Sequence, residues 1–297
     1  MPHRLSHWLM LGLLVALWGS AFVFAKLAVE TVAPEWTMAG RLLTAAALLL
    51  PLTLAMRRSL ALGSEAWGWL VALALVGNIA PFFVISWGQQ HISSALAGIL
   101  IGFTPLATLA IARFFVPEER ITPMRIAGFA IGFAGLVIVI GPGALADLTA
   151  GGDRLYGQFA VLAGAFFFAC NNVMARRAPD MPLIAKSSGV MLAGALIGTA
   201  MASTATPPAA LADASEVSLL GVAGLGIFST GLAALLFFRL IDKAGPTFVS
   251  LTNYLVPVFA AVAGFLVFGE ELKLRVLTGL ALILAGIAIS EWRRATD

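Results

Sequence analysis

Long apolar runs, separated by short polar connections, recur along the whole chain of 297 residues. A hydrocarbon core about 30 Å thick requires about 20 apolar residues per helix, and ten runs have roughly that length. We place the predicted spans at residues 8–29, 36–56, 66–88, 94–116, 121–141, 155–175, 183–203, 217–239, 247–268 and 272–292. The pattern therefore predicts an all-α integral membrane protein with ten transmembrane helices.

The composition supports a membrane environment. Hydrophobic residues make up 60% of the chain and charged residues only 11%, whereas soluble domains carry about 25% charged residues. The single cysteine, Cys170, cannot form an internal disulfide. The basic residues are scattered through short loops, which argues against nucleic-acid binding. We therefore expect a lipid bilayer as the surroundings and no nucleic acid as a partner.

The distribution of lysine and arginine predicts the orientation of the chain. With ten spans both termini share a side, and the loops on that side hold thirteen basic residues against five on the other. Basic loops resist translocation across the membrane. We therefore expect both termini in the cytoplasm and the protein in the cell inner (plasma) membrane.

The second half of the chain repeats the spacing of the first. Pro105 precedes Glu118 by 13 residues, and Pro257 precedes Glu270 by the same number. The following helices carry two glycines each with equal separation: Gly128 and Gly135, Gly279 and Gly286. The repeat predicts two homologous halves.

Each half holds five predicted helices, and because five is odd the halves must insert with opposite orientations. We divide the chain into a first repeat at residues 1–143, a linker at 144–154 and a second repeat at 155–297. Inverted repeats are typical of secondary transporters, which place the substrate site near the midplane between the halves. A duplicated structural bundle is the alternative interpretation.

These residues resemble the drug/metabolite transporter superfamily, specifically its members with paired EamA domains. The resemblance rests in the first half on Trp18, Gly19, Ser20, Lys26, Arg41, Ser94, Ala95, Pro105, Glu118, Gly128 and Gly135. It continues in the second half through Pro246, Pro257, Glu270, Gly279 and Gly286. The resemblance implies a ten-helix fold and the export of small metabolites, among them amino acids.

The two halves depart from one another at three positions of this pattern. Phe168 and Ala169 stand in the places of Trp18 and Gly19, and the seventh helix has no counterpart of Arg41. We therefore expect the halves to contribute unequally to any binding site.

Every asparagine falls within a predicted span, where an unsatisfied amide costs several kcal/mol. Asn78 is near the centre of the third span, close to Phe82, Ser86 and Trp87. Amides beside aromatic walls are typical of a small-molecule pocket. Hydrogen bonds that hold the helices together are the alternative for each asparagine.

We predict a substrate site that draws on both halves. Trp18 lies halfway along the first span, far from either interface, so it cannot anchor the helix at a membrane surface. The predicted site comprises Trp18, Ser20, Asn78, Phe82, Ser86, Trp87, Asn171 and Asn253, with Pro105 and Pro257 as hinges or fixed bends. Lys26 and Arg41 are candidates to attract a carboxylate, with snorkelling to the interface as the alternative.

All fifteen Asp and Glu residues lie in loops or at predicted helix ends. Proton-coupled transporters commonly use a carboxylate within the membrane. We therefore expect a facilitator that exports amino acids or related metabolites by alternating access, with the two five-helix halves rocking around the site. Proton antiport through His91 or a helix-end glutamate, with a drug, sugar or nucleoside as cargo, is the alternative.

A membrane-embedded enzyme is a less favoured hypothesis. Such an enzyme requires a nucleophile, an acid pair or a metal site, and the spans contain no paired aspartates and no His-Glu-x-x-His helix. We expect no metal and no cofactor, and a monomer or weak homodimer that binds a small molecule.

Overall fold

A computed structural model of the chain describes residues 5–56, 60, 63–115, 122–140 and 152–291, and these residues form helices without any β-strand. The helices are α1 Leu5–Ala28, α2 Pro34–Ala55, α3 Ser64–His91, α4 Ser94–Phe115, α5 Pro123–Ile140, α6 Asp153–Arg177, α7 Leu183–Ala205, α8 Glu216–Ala244, α9 Thr252–Phe268 and α10 Leu274–Glu291. Short helices at Pro208–Asp213 and Pro246–Val249 lie between them.

Eight of the described helices, α1 to α8, are long and apolar enough to cross a membrane. The apolar parts of the last two, Thr252–Phe268 and Leu274–Ser290, are shorter. The described residues thus form eight helices of spanning length and two shorter apolar helices, and the expectation of ten spans stays a prediction. The acidic residues Glu118 and Glu119 and most of the predicted linker lie outside the described residues.

The predicted boundaries differ from the observed ones mainly around the connection of α8 to α9. Helix α8 continues five residues past its predicted end, to Ala244, and stops at Gly245, whose φ is +82°. Only glycine adopts that conformation without strain, so the chain turns there. The predicted span 247–268 is interrupted at residues 250 and 251, and the regular helix begins at Thr252.

Helices from the two halves pack against each other in a symmetric pattern. Helix α5 packs along α10, α4 along α9 and α2 along α7. Helix α3 packs along α6, and α8 packs along α1. If each helix is exchanged for its equivalent in the other half, α1 for α6, α2 for α7 and so on, the same set of pairs results. The principal contacts of the bundle therefore join one half to the other.

Glycines bring α5 and α10 into backbone contact. A Cβ atom on Gly135 would lie 2.7 Å from the Gly279 carbonyl oxygen, and one on Gly279 would lie 2.8 Å from the Gly135 oxygen. Gly128 and Gly286 face each other in the same reciprocal way, at 2.5 Å. Such small-residue contacts are typical of helix pairs in lipid. The glycines that indicate the repeat in the sequence thus form the contact between its halves.

Large apolar side chains cover the outside of the described bundle. Leu9, Leu196, Leu220 and Leu266 lie on four different helices and are 66–72% exposed. Exposure of so many leucine side chains to water would be unfavourable, whereas contact with lipid tails is not. The exterior is therefore that of a multi-pass membrane protein.

Candidate functional site

A cavity of about 490 Å³ lies within the bundle and is lined by residues of α1 to α4 and α6 to α9. Helices α5 and α10 contribute no described residue to its wall. The wall combines amides with aromatic rings, among them Trp18 and Phe237, whose ring centroids are 5.4 Å apart. A volume of this size is in the range of small-molecule sites. Both halves of the chain form the wall.

The wall formed by α3 is shaped by an irregular turn. Residues Leu75–Ile79 form a π-helical turn, in which the Ala80 N–H donates to the Leu75 carbonyl oxygen five residues earlier. Pro81 follows and has no N–H to donate back to Gly77, so regular α-helical bonding is interrupted. Asn78 lines the cavity, and its Nδ2 donates to the Leu73 carbonyl oxygen at 3.3 Å.

Helix α8 repeats this geometry. Residues Ile227–Leu232 form a second π-helical turn. Thr230 follows Asn78 by 152 residues, the same interval as from Pro105 to Pro257. Its Oγ1 donates to the Leu225 carbonyl oxygen at 2.9 Å, again five residues earlier. The two halves therefore present an amide and a hydroxyl to the cavity at equivalent positions.

Glycines at both π-helical turns allow neighbouring helices to pack closely against them. A Cβ atom on Gly77 would clash with the Asn171 side chain, so the glycine is what lets Asn171 approach α3. A Cβ atom on Gly226 would lie 2.6 Å from the Arg41 carbonyl oxygen. Helix α8 thus packs closely on α2 beside Arg41.

Arg41 is the charged residue in the described lining of the cavity. Its Nε donates to Thr230 Oγ1 at 2.8 Å, and its Cζ atom lies 3.6 Å from the centroid of the Phe82 ring. A cation over an aromatic face gains electrostatic stabilisation. The only residue of α7 in the lining is Met191, so the cavity is basic on α2 and apolar on α7.

Most of the predicted site residues are brought together in this cavity. The lining includes Trp18, Asn78, Phe82, Ser86, Asn171 and Asn253, together with Pro105 and Pro257. Two predicted residues are not part of it. Ser20 Oγ donates to the Leu17 carbonyl oxygen at 3.1 Å, and the Trp87 ring packs on His91 at a centroid distance of 4.7 Å. Each of these side chains thus makes its contact within its own helix.

Several polar residues of the lining were not in the predicted site. Gln89 and Ser229 are 0% and 2% exposed, and Gln89 Oε1 and Ser229 Oγ have no hydrogen-bond partner among the described residues. Gln89 lies one residue past the predicted end of the third span, beside Gln90 and His91, so the signal that identified Asn78 is absent at this position. Arg41, which the sequence offers as a candidate to attract a carboxylate, also belongs to the lining.

Lys26, the other candidate for attracting a carboxylate, has a structural role. Its Nζ donates to the carbonyl oxygens of Gln89 at 2.8 Å and of Ile92 at 3.1 Å. These carbonyls belong to the end of α3, where an α-helix leaves its last C=O groups without partners. Lys26 therefore caps α3 and does not line the cavity.

A second cavity of about 310 Å³ adjoins the first and shares Thr104, Pro105, Asn172 and Asn253 with it. Arg125 and Arg176 contribute to its wall, and no described Asp or Glu does. The two cavities together extend from the interior toward the start of α5, which carries Arg125, and the end of α6, which carries Arg176. Their charged lining is entirely basic over the described residues.

Comparison with known protein families gives one assignment over both halves. Residues 6–141 and, separately, residues 155–292 match the EamA-like transporter family.

Several relatives over most of the chain are transporters by name. An uncharacterized transporter of Archaeoglobus fulgidus is 25% identical over 288 residues, which cover 96% of this chain and 98% of that protein. The S-adenosylmethionine/S-adenosylhomocysteine transporter of Chlamydia trachomatis serovar L2 is 26% identical, covering 91% of this chain and 84% of that protein. A probable terminal-alkyne amino-acid exporter of Streptantibioticus cattleyicolor is 28% identical, covering 72% and 69%.

Among the solved structures that are similar, a crystal structure matches 99% of this chain and 100% of its own chain, with a TM-score of 0.67 at 23% identity. At that identity the match shows a shared fold.

Proposed function

Since the chain belongs to the EamA-like transporter family, we propose that it exports small metabolites, amino acids first, from the cytoplasm. The observation that carries this proposal is the cavity of about 490 Å³ lined by both halves of the chain. Its amides and aromatic rings suit a cargo that has both polar and apolar groups. The family and the names of its relatives point to transport rather than to catalysis.

We propose that all ten helices cross the membrane as two inverted five-helix repeats, residues 1–143 and 155–297, joined at 144–154. Two separate family matches and the symmetric helix pairs support this arrangement. The paired π-helical turns in α3 and α8 support it as well. A helix of 17 residues can span a thin or locally thinned bilayer.

The orientation we propose has both termini in the cytoplasm and the protein in the inner (plasma) membrane. The excess of basic residues on that side supports it. The second cavity, with Arg125 and Arg176, would then open toward the cytoplasm, from which an exporter takes its cargo. A cysteine placed at Ala214 in a Cys170→Ser background should react with an impermeant thiol reagent applied to intact cells. If this cysteine is labelled only after the cells are permeabilised, the loop is cytoplasmic and the proposed orientation is wrong.

Alternating access is the mechanism that this packing supports, with one change to the moving parts. One buried cluster joins α2 and α3 to α7 and α8, and another joins α4 and α5 to α9 and α10. Each cluster therefore mixes the two repeats, and a five-helix half does not pack as a body of its own. We propose that these two mixed bodies rock about the cavity, with Pro105 and Pro257 at the bends.

The experiment that tests the function is counterflow in proteoliposomes made with purified protein. The panel contains amino acids, S-adenosylmethionine and S-adenosylhomocysteine, sugars and nucleosides, because one relative is named for the adenosyl compounds. Uptake of a labelled compound that requires the same compound inside the vesicles identifies the cargo. If no compound of the panel exchanges above protein-free vesicles, the proposed cargo class is wrong.

We further propose that transport is facilitated diffusion, without obligatory proton exchange. No Asp or Glu is among the described residues that line either cavity, and His91 and Glu270 do not line them. In the same vesicles, flux down a substrate gradient should persist without a pH gradient or a membrane potential. Accumulation against the substrate gradient, abolished by a protonophore, would instead establish proton antiport.

A further inference from the structure

We propose that Arg41 binds the carboxylate of the cargo, so that the protein selects compounds with a carboxylate beside an apolar body. This inference rests on the proposed function, since it assigns a cargo class to the same cavity. It begins with the placement of the guanidinium. Arg41 lies seven residues after Pro34, the first residue of α2, or about 10 Å along the helix axis.

A guanidinium at that depth needs compensation, because charged groups inside a membrane are expensive and pair with one another or line a cavity. The structure provides only part of that compensation. Arg41 donates one hydrogen bond, from Nε to Thr230 Oγ1, and makes a cation–π contact with the face of the Phe82 ring. Over the described residues, no Asp or Glu forms an ion pair with it, and its Nη groups have no acceptor.

The guanidinium is held in position without being neutralised. Phe82 covers one face of its plane, and Thr230 fixes its Nε edge. Two N–H groups on adjacent nitrogens match the two oxygens of a carboxylate, which is the geometry of a bidentate pair. Arg41 is thus pre-organised to accept an anionic group from the cavity.

The surrounding lining supplies polar groups for the rest of such a cargo. Gln89 and Ser229 line the same cavity, and their buried Oε1 and Oγ atoms have no hydrogen-bond partner among the described residues. An amide oxygen accepts hydrogen bonds from an ammonium group. Trp18, Phe168 and Phe237 offer apolar surface to a side chain.

The charge along the path agrees with an anionic group on the cargo. The second cavity adds Arg125 and Arg176 and shares four residues with the first, so the described charged lining is basic throughout. A permanent cation would meet no Asp or Glu among the described residues of either lining.

The test compares amino acids with their α-carboxamides in the wild type and in Arg41→Gln, Arg41→Lys and Arg239→Gln. Arg239 is an exposed residue of α8 outside both cavities, so its substitution removes an equal charge away from the site. The probes are L-leucine, L-methionine and L-phenylalanine with the corresponding amides. Counterflow in proteoliposomes and the melting temperature of detergent-solubilised protein are measured for each variant.

We expect the wild type and Arg239→Gln to prefer the acid over the amide by about tenfold or more, the ratio that a charge-assisted hydrogen bond provides. Arg41→Gln should lose this preference, and Arg41→Lys, which keeps the charge without the planar pair of donors, should retain part of it. A merely structural Arg41 would lower the transport of acids and amides equally. That result, or an unchanged acid-to-amide ratio in Arg41→Gln, would overturn the inference while leaving the proposed function standing.

The melting temperatures separate the two proposals. If acids stabilise the wild type and not Arg41→Gln without being carried, the carboxylate site stands and the transport proposal fails. If the acids are neither carried nor stabilising, both proposals fail for this class of cargo.

Discussion

Asn78 and Thr230 hold the same position in the two π-helical turns, and each side chain donates to a carbonyl five residues earlier. A π-helical turn leaves backbone groups without their usual partners, and a nearby side chain can satisfy them. Asn78 therefore combines a bond that stabilises its helix with an amide that faces the cavity. Thr230 shows that a hydroxyl can make the same backbone bond.

This equivalence provides a matched pair of substitutions at Asn78. Asn78→Thr should keep the melting temperature near that of the wild type, because threonine can bond to the Leu73 carbonyl, but it should reduce counterflow of the cargo. Asn78→Ala should lower both, with a stability loss of about 1 kcal/mol. Melting curves and counterflow of the same preparations distinguish them. If Asn78→Thr transports at the wild-type rate, the amide of Asn78 is not part of the binding site.

The sequence identified Asn78 and Asn253 because an amide inside an apolar run must face protein or water. It could not decide between the two roles open to Arg41, attraction of a carboxylate and snorkelling, because the direction of a side chain depends on how its helix is rotated within the bundle. A Cβ atom on Gly226 would lie 2.6 Å from the Arg41 carbonyl oxygen, so this glycine lets α8 approach α2 there. Ser20 and Trp87 are not in the described lining of the cavity, and hydropathy alone does not give the direction of their side chains.

At the scale of helices, Glu270 links the two halves. Its carboxylate accepts hydrogen bonds from the backbone N–H groups of Ser94 and Ala95, at 2.7 and 2.8 Å, and from Ser94 Oγ at 3.0 Å. These N–H groups are at the start of α4, where a helix has free donors and a positive dipole end. A residue that follows α9 therefore caps a helix of the other half.

Glu270→Ala should lower the free energy of unfolding by about 2 kcal/mol or more, because hydrogen bonds to a charged group stabilise a protein more than those between neutral groups. We expect the melting temperature to fall by roughly 5 °C. Glu271→Ala is the control, because that side chain is exposed and adjacent in sequence. Equal melting temperatures for both variants would show that the cap does not stabilise the fold.

The existence of the helices was predictable from hydropathy, since a chain in lipid must satisfy its backbone within each span. Their irregularities were only partly predictable. Pro81 indicates an interruption in α3, but the π-helical turn of α8 contains no proline. The cap by Glu270 was not predictable either, because it joins residues 175 and 176 positions apart. Such a contact follows from the packing of the two halves.

At the scale of the whole molecule, the two sequence repeats pack symmetrically against each other. Each of the two buried clusters nevertheless contains helices from both repeats. The sequence indicates the equivalence of the halves through spacing alone. It cannot indicate that α2 and α3 share a core with α7 and α8. Glycines of α7 make room for side chains of the other half in that core: a Cβ atom on Gly189 would lie 2.6 Å from Leu70 Cδ1, and one on Gly198 would lie 2.8 Å from Met38 Sδ.

The central claim is that the cavity between α1 to α4 and α6 to α9 is the path of the cargo. The most direct test fills it with a large side chain and measures counterflow of whichever compound the wild type carries. Ala234→Trp adds an indole to the cavity wall, whereas Leu266→Trp adds one to a side chain that is 72% exposed on the outside of α9. We expect Ala234→Trp to lose most of its counterflow at a near-normal melting temperature and Leu266→Trp to keep it. Wild-type counterflow by a folded Ala234→Trp protein would contradict the account.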